Sequence, residues 1–284
     1  MTSGTEVFRY SAFTADPLGG NPAGVVLDAE GLSSADMQQI AAEVGYSETA
    51  FMIRLGANAF RARYFSPAKE VPFCGHATIA TAIALAERTE PGEVELTTSA
   101  GPVRVTTGSS QDGVLTATLT SVPPTVEDIE DGELAQLLEA IRWGPQDMDP
   151  ALPVRIASAG ARHPIVAAAT RERLAALDYD FDGLAALMDA CDWTTVDLVW
   201  RESPLVFHVR NPFPIGGVVE DPATGSAAAA LGGYLRALRL VPTPSTVTIH
   251  QGADLGRPSL ISVDIPAEPG SGIRVSGGAV RISA

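Results

Sequence analysis

Cys74-Gly75-His76-Ala77-Thr78-Ile79-Ala80-Thr81-Ala82-Ile83-Ala84-Leu85-Ala86 is a small-residue turn that runs into an alanine-rich helix reaching about Arg88. The pattern returns in the second half as Thr224-Gly225-Ser226-Ala227, which opens another alanine-rich helix running to about Leu238. One copy in each half predicts two similar halves, each mixing strands and helices. The first of these helices is the most apolar in the chain, yet Ala77 to Ala86 is far short of the ~20 residues that cross a bilayer.

Outward from the first turn the chain reads as short strands. Glu6–Phe13 and Ala23–Leu27 flank the dense loop Pro17-Leu18-Gly19-Gly20-Asn21-Pro22. Ser33 and Asp36 form a capping-box pair, Met37, Ile40, Ala41 and Val44 give one apolar helix face, and Gly45 stands in the C′ position. Strands follow at Thr49–Ile53 and Asn58–Phe65, so Ser47-Glu48-Thr49 falls between a helix end and a strand start. Beyond the helix, Glu93–Thr97 and Pro102–Thr107 form a hairpin around Ser99-Ala100-Gly101, and Leu115–Leu119 adds a strand. Val122-Pro123-Pro124 and the acidic stretch from Glu127 to Glu133 mark a change of composition, so the domains are read as 1–123 and 124–274. A short helix from about Gly132 to Arg142 opens the second half. Strands at Val154–Ser158, Ile165–Ala168, Val196–Trp200 and Leu205–Val209 follow, with helices between. Thr246–His250, Ser259–Ile265 and Gly272–Ile282 finish the chain.

Composition narrows the function classes. The 284 residues include 34 acidic and 19 basic side chains, a net charge of −15, which argues against nucleic acid and against an anionic membrane surface. Hydrophobic residues make up 45% and charged ones 19%, the balance of a globular protein. Two cysteines, Cys74 and Cys191, are too few for a disulfide scaffold. Met1 to Phe13 lacks the basic-then-apolar order of a signal peptide, so a soluble, cytoplasmic protein is expected.

Chemistry points to the two helix starts. A helix N-terminus offers unpaired N–H groups and partial positive charge, and glycine there lets a ligand approach the backbone. Well-packed helix entries have the same composition, so spacing alone leaves both readings open. His76 stands at the first start, where an imidazole can serve as a donor or a base, or simply bond to backbone. Glu48 lies at a loop-to-strand joint. Asp221, with Pro222 beside it, reads as the N-cap of the second helix or as a functional carboxylate. His76, His163, His208 and His250 show no metal-ligand spacing, and no metal is expected. No phosphate loop, dinucleotide fingerprint or GxSxG elbow is present.

Taken in order, these segments resemble the phenazine-biosynthesis PhzF-like family, which shares its fold with diaminopimelate epimerase. The resemblance rests on Asn21-Pro22-Ala23-Gly24-Val25, Ser47-Glu48-Thr49-Ala50-Phe51, Phe65-Ser66-Pro67 through Cys74-Gly75-His76-Ala77-Thr78, and Thr98-Ser99-Ala100-Gly101. It continues through Glu220-Asp221-Pro222-Ala223-Thr224-Gly225-Ser226-Ala227, Gln251-Gly252, Gly256-Arg257-Pro258 and Val275-Ser276-Gly277-Gly278-Ala279-Val280. It covers nearly the whole chain. The resemblance implies an α+β fold of two pseudosymmetric domains, each a β-barrel-like sheet wrapped around a central α-helix. It also implies that the C-terminal strand, about 275–284, returns to the first domain, and that the protein is a homodimer.

Roles follow from the same resemblance. Glu48 matches the family's general acid/base, which moves a proton between carbons of a small unsaturated acid. His76 and Asp221 match the polar pair that assists proton relay and orientation across the cleft. Asn21, Cys74, Gly75, Thr224, Gly225 and Ser226 fall at substrate-binding positions for a small carboxylate. No cofactor is implied. Epimerases of this fold use two thiols, and here Cys74 stands at the first position but Thr224 at the second, a far poorer carbon base. The expectation is therefore an isomerase working by cofactor-independent proton transfer. A one-base epimerase or racemase of an amino or hydroxy acid, or a non-catalytic small-acid binder, remains an alternative.

Overall fold

From His76 to Ala86 every residue of the first alanine-rich helix is buried. A helix without a polar face has to be enclosed, and alanine side chains let the enclosing strands come close. The computed structural model describes residues 5–109 and 113–283, in two compact units. Met1–Gly4, within the stretch read for targeting signals, and Ala284, at the end of the expected returning strand, lie outside the described residues.

The first unit comprises residues up to Thr120 together with Ser276–Ala284. Its elements are β1 (Phe8–Ala12), β2 (Asn21–Val26), α1 (Ser34–Val44), β3 (Glu48–Arg54), β4 (Ala59–Phe65), β5 (Glu70–Val71), α2 (Gly75–Ala86), β6 (Glu93–Thr98), β7 (Gly101–Ser109) and β8 (Leu115–Thr120). β1 and β2 are antiparallel, β2 and β3 parallel, β3 and β4 antiparallel, β4 and β6 parallel, and β6, β7 and β8 antiparallel in turn. This sheet wraps α2, which packs on β1, β2, β3, β7 and β8.

The second unit, Ser121–Val275, holds β9 (Thr125–Glu127), α3 (Asp131–Ala140), β10 (Arg155–Ser158), β11 (Arg162–Ala167), α4 (Arg171–Ala175), α5 (Phe181–Cys191), β12 (Asp197–Ser203) and β13 (Val206–Phe213). It continues with β14 (Val218–Asp221), α6 (Gly225–Ala237), β15 (Ser245–Gln251), β16 (Ser259–Ile265) and the start of β17 (Arg274–Gly277). The pairings repeat those of the first unit: β10/β11 antiparallel, β11/β12 parallel, β12/β13 antiparallel, β13/β15 parallel, β15/β16 antiparallel. Here α6 is the central helix, against β9, β10, β11 and β16. Trp143 and Trp193 anchor a separate core beneath α3 and α5.

The repeat extends to single residues. Glu48 opens β3 beside Ala23 of β2, and Asp197 opens β12 beside Ile165 of β11. Counting back two residues on each partner strand sets His163 in the place of Asn21.

Most local readings have visible causes. Ser33 accepts a bond from the Asp36 backbone while the Asp36 carboxylate accepts from the Ser33 hydroxyl and from Ser33 N, which together hold that carboxyl below its usual range. Gly45 closes α1 at φ 72°. Two expectations change. The final strand is split, because Gly278 carries the carbonyl that accepts from Phe13 N at 2.7 Å, leaving β17 on one side and β18 (Ala279–Arg281), paired with β1, on the other. Asp221 is not a helix N-cap. It ends β14, the cap position belongs to Thr224, and the Asp221 carboxylate instead accepts a hydrogen bond from Thr224 Oγ1 at 2.6 Å.

Candidate active site

In the first unit, parallel pairing of β2 with β3 brings residues 21 and 48 to one end of the sheet, where α2 begins. Glu48 Oε2 lies 3.4 Å from His76 Nε2 and 3.5 Å from Cys74 Sγ, which donates to it. Asn21 Nδ2 is 3.2 Å from His76 Nδ1, and Ser47 Oγ is 3.4 Å from Nε2. The His76 side chain is 7% exposed and that of Glu48 18%. The imidazole is thus held from several sides, while the carboxylate keeps an outlet. Separations of this length are common in unliganded sites and shorten when substrate arrives.

Each residue is delivered by its neighbours. Gly20, at φ 66°, precedes Asn21, and a Cβ there would stand 2.3 Å from Ala12 O, so the turn into β2 requires glycine. Cys74 is extended (φ −146°) and makes no side-chain cap, so the first N–H groups of α2 are not capped by it. Thr78 Oγ1 donates to Cys74 O at 2.7 Å and meets the buried Tyr64 hydroxyl at 2.7 Å, fixing the turn from below. Burial pushes the Tyr64 phenol far above its ordinary range. At Gly75 an added Cβ would meet no described atom within 4 Å. Packing does not demand glycine there.

In the second unit the matching turn is organised by a residue that sequence reasoning passed over. Gln251 is 2% exposed; its Oε1 accepts from Thr224 N at 2.9 Å, and its Nε2 donates to Asp221 O at 2.7 Å and to Thr224 Oγ1 at 3.0 Å. Gly252 follows at φ 73°, where a Cβ would be 2.6 Å from Pro222 O. Gly225 and Ser226 are the first residues of α6. Glu220 is turned inward, 5% exposed, in a two-pronged pair with Arg210. Only Asp221 of the two adjacent acids is left to serve a site.

Of the residues named from sequence, the structure gathers Asn21, Glu48, Cys74 and His76 into one cluster, with Gly75 at its side. It gathers Asp221 and Thr224 into another. Ser47 and Gln251 were missed as single residues, although both stand inside the motif blocks quoted above. Glu48, Cys74 and His76 also offer a carboxylate oxygen, a sulfur and an imidazole nitrogen within 4.8 Å of one another. Metal-ligand spacing in the sequence does not reveal this group, because Glu48 comes from a segment separate from Cys74-Gly75-His76. Among the described residues no helix is long and apolar enough to cross a membrane.

The family model for phenazine biosynthesis-like protein, PhzC-PhzF, matches residues 10–284. The chain belongs to this PhzF-like isomerase/epimerase family. It is 33% identical over 267 residues to the uncharacterized isomerase YddE of Escherichia coli O157:H7, covering 92% of this chain and 90% of that one. It is 34% identical over 275 residues to trans-2,3-dihydro-3-hydroxyanthranilate isomerase of Pseudomonas fluorescens, covering 95% and 94%. The crystal structure of the Bacillus anthracis phenazine biosynthesis protein of the PhzF family superposes with a TM-score of 0.89 at 27% identity, over 98% of this chain and 97% of that one. The helix-wrapped α+β units of this chain are thus the fold of the PhzF-like proteins.

Proposed function

We propose that this member of the family is a cofactor-independent isomerase that shifts a proton between carbons of a small unsaturated carboxylate. Glu48 takes the proton from one carbon and returns it to another. The observation that carries this reading is the placement of Glu48, partly open, against the buried His76, itself held by Asn21 and Ser47. When Glu48 Oε accepts the C–H proton, the bonding pair enters the conjugated system, and return of the proton elsewhere restores neutrality without any redox partner. The N–H groups at the start of α2 suit the negative charge that develops. The family resemblance adds Asp221, Thr224, Gly225 and Ser226 as further candidates for contact with the substrate; within their own unit Asp221 is held through Thr224 and Gln251. The name of the Pseudomonas fluorescens relative makes trans-2,3-dihydro-3-hydroxyanthranilate the first compound to try. A homodimer in the cytoplasm belongs to the same proposal, on the family resemblance alone.

The test is deuterium incorporation from solvent, followed by NMR across a panel of small unsaturated acids. The wild type is expected to exchange one carbon-bound proton, and Glu48→Gln to lose this by about 10²–10⁴-fold, the usual weight of a general base. Full exchange in a folded Glu48→Gln protein overturns the mechanism. A one-base epimerase is the second reading, favoured by the Cys74 thiol 3.5 Å from Glu48. In that case a chiral acid loses its circular dichroism without an ultraviolet shift, and Cys74→Ser slows the loss. An acid that raises the melting temperature but never turns over would instead identify a binder.

A further inference from the structure

The two ring nitrogens of His76 face opposite kinds of partner. Asn21 Nδ2 lies 3.2 Å from Nδ1, and an amide nitrogen only donates, so Nδ1 presents its lone pair there. At the other end Ser47 Oγ and Glu48 Oε2 each lie 3.4 Å from Nε2. A hydroxyl can accept, and an ionised carboxylate only accepts, so that end favours the ring proton. Cys74 Sγ stands 3.4 Å from Nδ1 and 3.8 Å from Nε2. An atom in line with one ring nitrogen at such a distance would be about 5 Å or more from the other. The sulfur therefore lies over the ring and competes for neither nitrogen; its own proton goes to Glu48. Both ends of the imidazole thus agree on one neutral tautomer, protonated at Nε2. Asn21 is itself 1% exposed, so it reaches the site through the imidazole rather than by touching a ligand.

We propose that Asn21 is a positioning residue that holds His76 as its Nε2–H tautomer, which makes the imidazole a hydrogen-bond donor in the site and leaves removal of the carbon-bound proton to Glu48. With the proton on Nε2 the ring can donate to the Glu48 carboxylate, or to a substrate oxygen on which negative charge develops, and cannot act there as a base. The opposite tautomer would set a lone pair 3.4 Å from a carboxylate oxygen, two acceptors facing each other, and would withdraw the donor. A histidine at this turn could serve as donor or as base, and it is the amide from β2 that selects between them. The consequence for proton transfer rests on Glu48 as the proton carrier, whereas the tautomer does not.

The tautomer is read on the full chain, without substrate, from the nitrogen-15 shifts of the imidazoles at about pH 8.5, where an ordinary histidine is neutral. A ring nitrogen that carries a proton and one that carries a lone pair differ widely in shift, and His76→Gln identifies the His76 signals by their loss. The wild type is expected to carry the proton on Nε2. Asn21→Asp sets an acceptor-only carboxylate beside Nδ1 and is expected to draw the proton there. Solvent exchange of an acid that the wild type turns over is then expected to fall by about 10²–10⁴-fold, the weight of a wrongly protonated histidine, in kcat rather than KM. Far-ultraviolet circular dichroism verifies folding. Asn21→Ser, which can donate or accept, supplies a second test should the buried aspartate prevent folding, and is expected to show both tautomers. A wild-type proton on Nδ1, or an unmoved proton in folded Asn21→Asp, overturns the proposal. A moved proton with full exchange refutes the positioning role; if Glu48→Gln has lost exchange, Glu48 keeps its part without Asn21. Full exchange in both Asn21→Asp and Glu48→Gln refutes the role given to Glu48 as well.

Discussion

Gly75 separates a packing requirement from a ligand requirement. The glycines at 20 and 252 are imposed by the chain itself, since a Cβ at either would run into backbone oxygen. At Gly75 a Cβ would touch nothing described, and alanine is the better helix former by about 0.5–1 kcal/mol. Gly75→Ala is therefore expected to melt at an equal or higher temperature. If the start of α2 receives substrate, the same change is expected to raise KM about tenfold, one 1.4 kcal/mol step. An unchanged KM would show that the glycine has no part in binding. A composition-level reading could not make this distinction, because it depends on what lies within a few ångströms of an absent atom.

Among the elements, β14 is one that the sequence does not announce. It is short, its Val218 and Val219 face outward, and it carries the Glu220-Asp221 pair. Its order comes from side chains of other segments. The Tyr179 hydroxyl donates to Val219 O at 2.5 Å, and burial, then the Glu220 carboxylate, pushes that phenol up to about 12. Arg210 holds Glu220 and also donates to Ala175 O at 2.6 Å. The side chains of this ion pair are 10% and 2% exposed, so removing one charge strands the other. Glu220→Gln is expected to cost about 3 kcal/mol or more in denaturant unfolding and to loosen the strand that carries Asp221. A cost under about 1 kcal/mol would show that the pair behaves as an exposed one. Helices α1, α2 and α6 were legible because their signals are local: a capping box, a C′ glycine, an alanine-rich run. β14 has no such signal: it pairs with β13 five to ten residues back, and the side chains that hold it come from as far as forty residues away.

At the scale of the whole molecule, one architecture is used twice with opposite treatment of its acid. Glu48 opens its strand with 18% of its side chain exposed, whereas Asp197, in the matching place, is 1% exposed. Asp197 Oδ1 accepts from Asn211, whose Oδ1 accepts from Thr195, which meets His163 Nδ1 at 2.9 Å. Burial pushes the Asp197 carboxyl up to about 7, with the Asn211 bond opposing it, and pushes His163 down to about 4, with its Thr195 bond opposing. Between pH about 4 and 6.5 the folded protein keeps the Asp197 proton that the unfolded chain releases, and refuses the His163 proton that the unfolded chain takes up. The two contributions oppose each other, so this pair gives the wild type little pH dependence there. Asp197→Asn leaves His163 alone, and stability is expected to fall by up to about 3 kcal/mol as pH drops from 6.5 to 4. His163→Asn leaves Asp197 alone, and stability is expected to fall by up to about 4 kcal/mol as pH rises from 4 to 7. Urea unfolding across that range checks both. Equal pH slopes in the two variants would refute the opposition.

The residues themselves determine the helix boundaries, most strands, the two glycine-turned helix starts and the family to which the chain belongs. These rest on contacts within a few residues or on side-chain identity. Only the tertiary structure decides that positions 21, 48, 74 and 76 converge, because that depends on the parallel register of β2 with β3 and on the point where α2 enters the sheet. It also decides which acid of a repeated pair is open to chemistry. Burial belongs to everything packed around a side chain, and no stretch of sequence around Glu48 or Asp197 contains it.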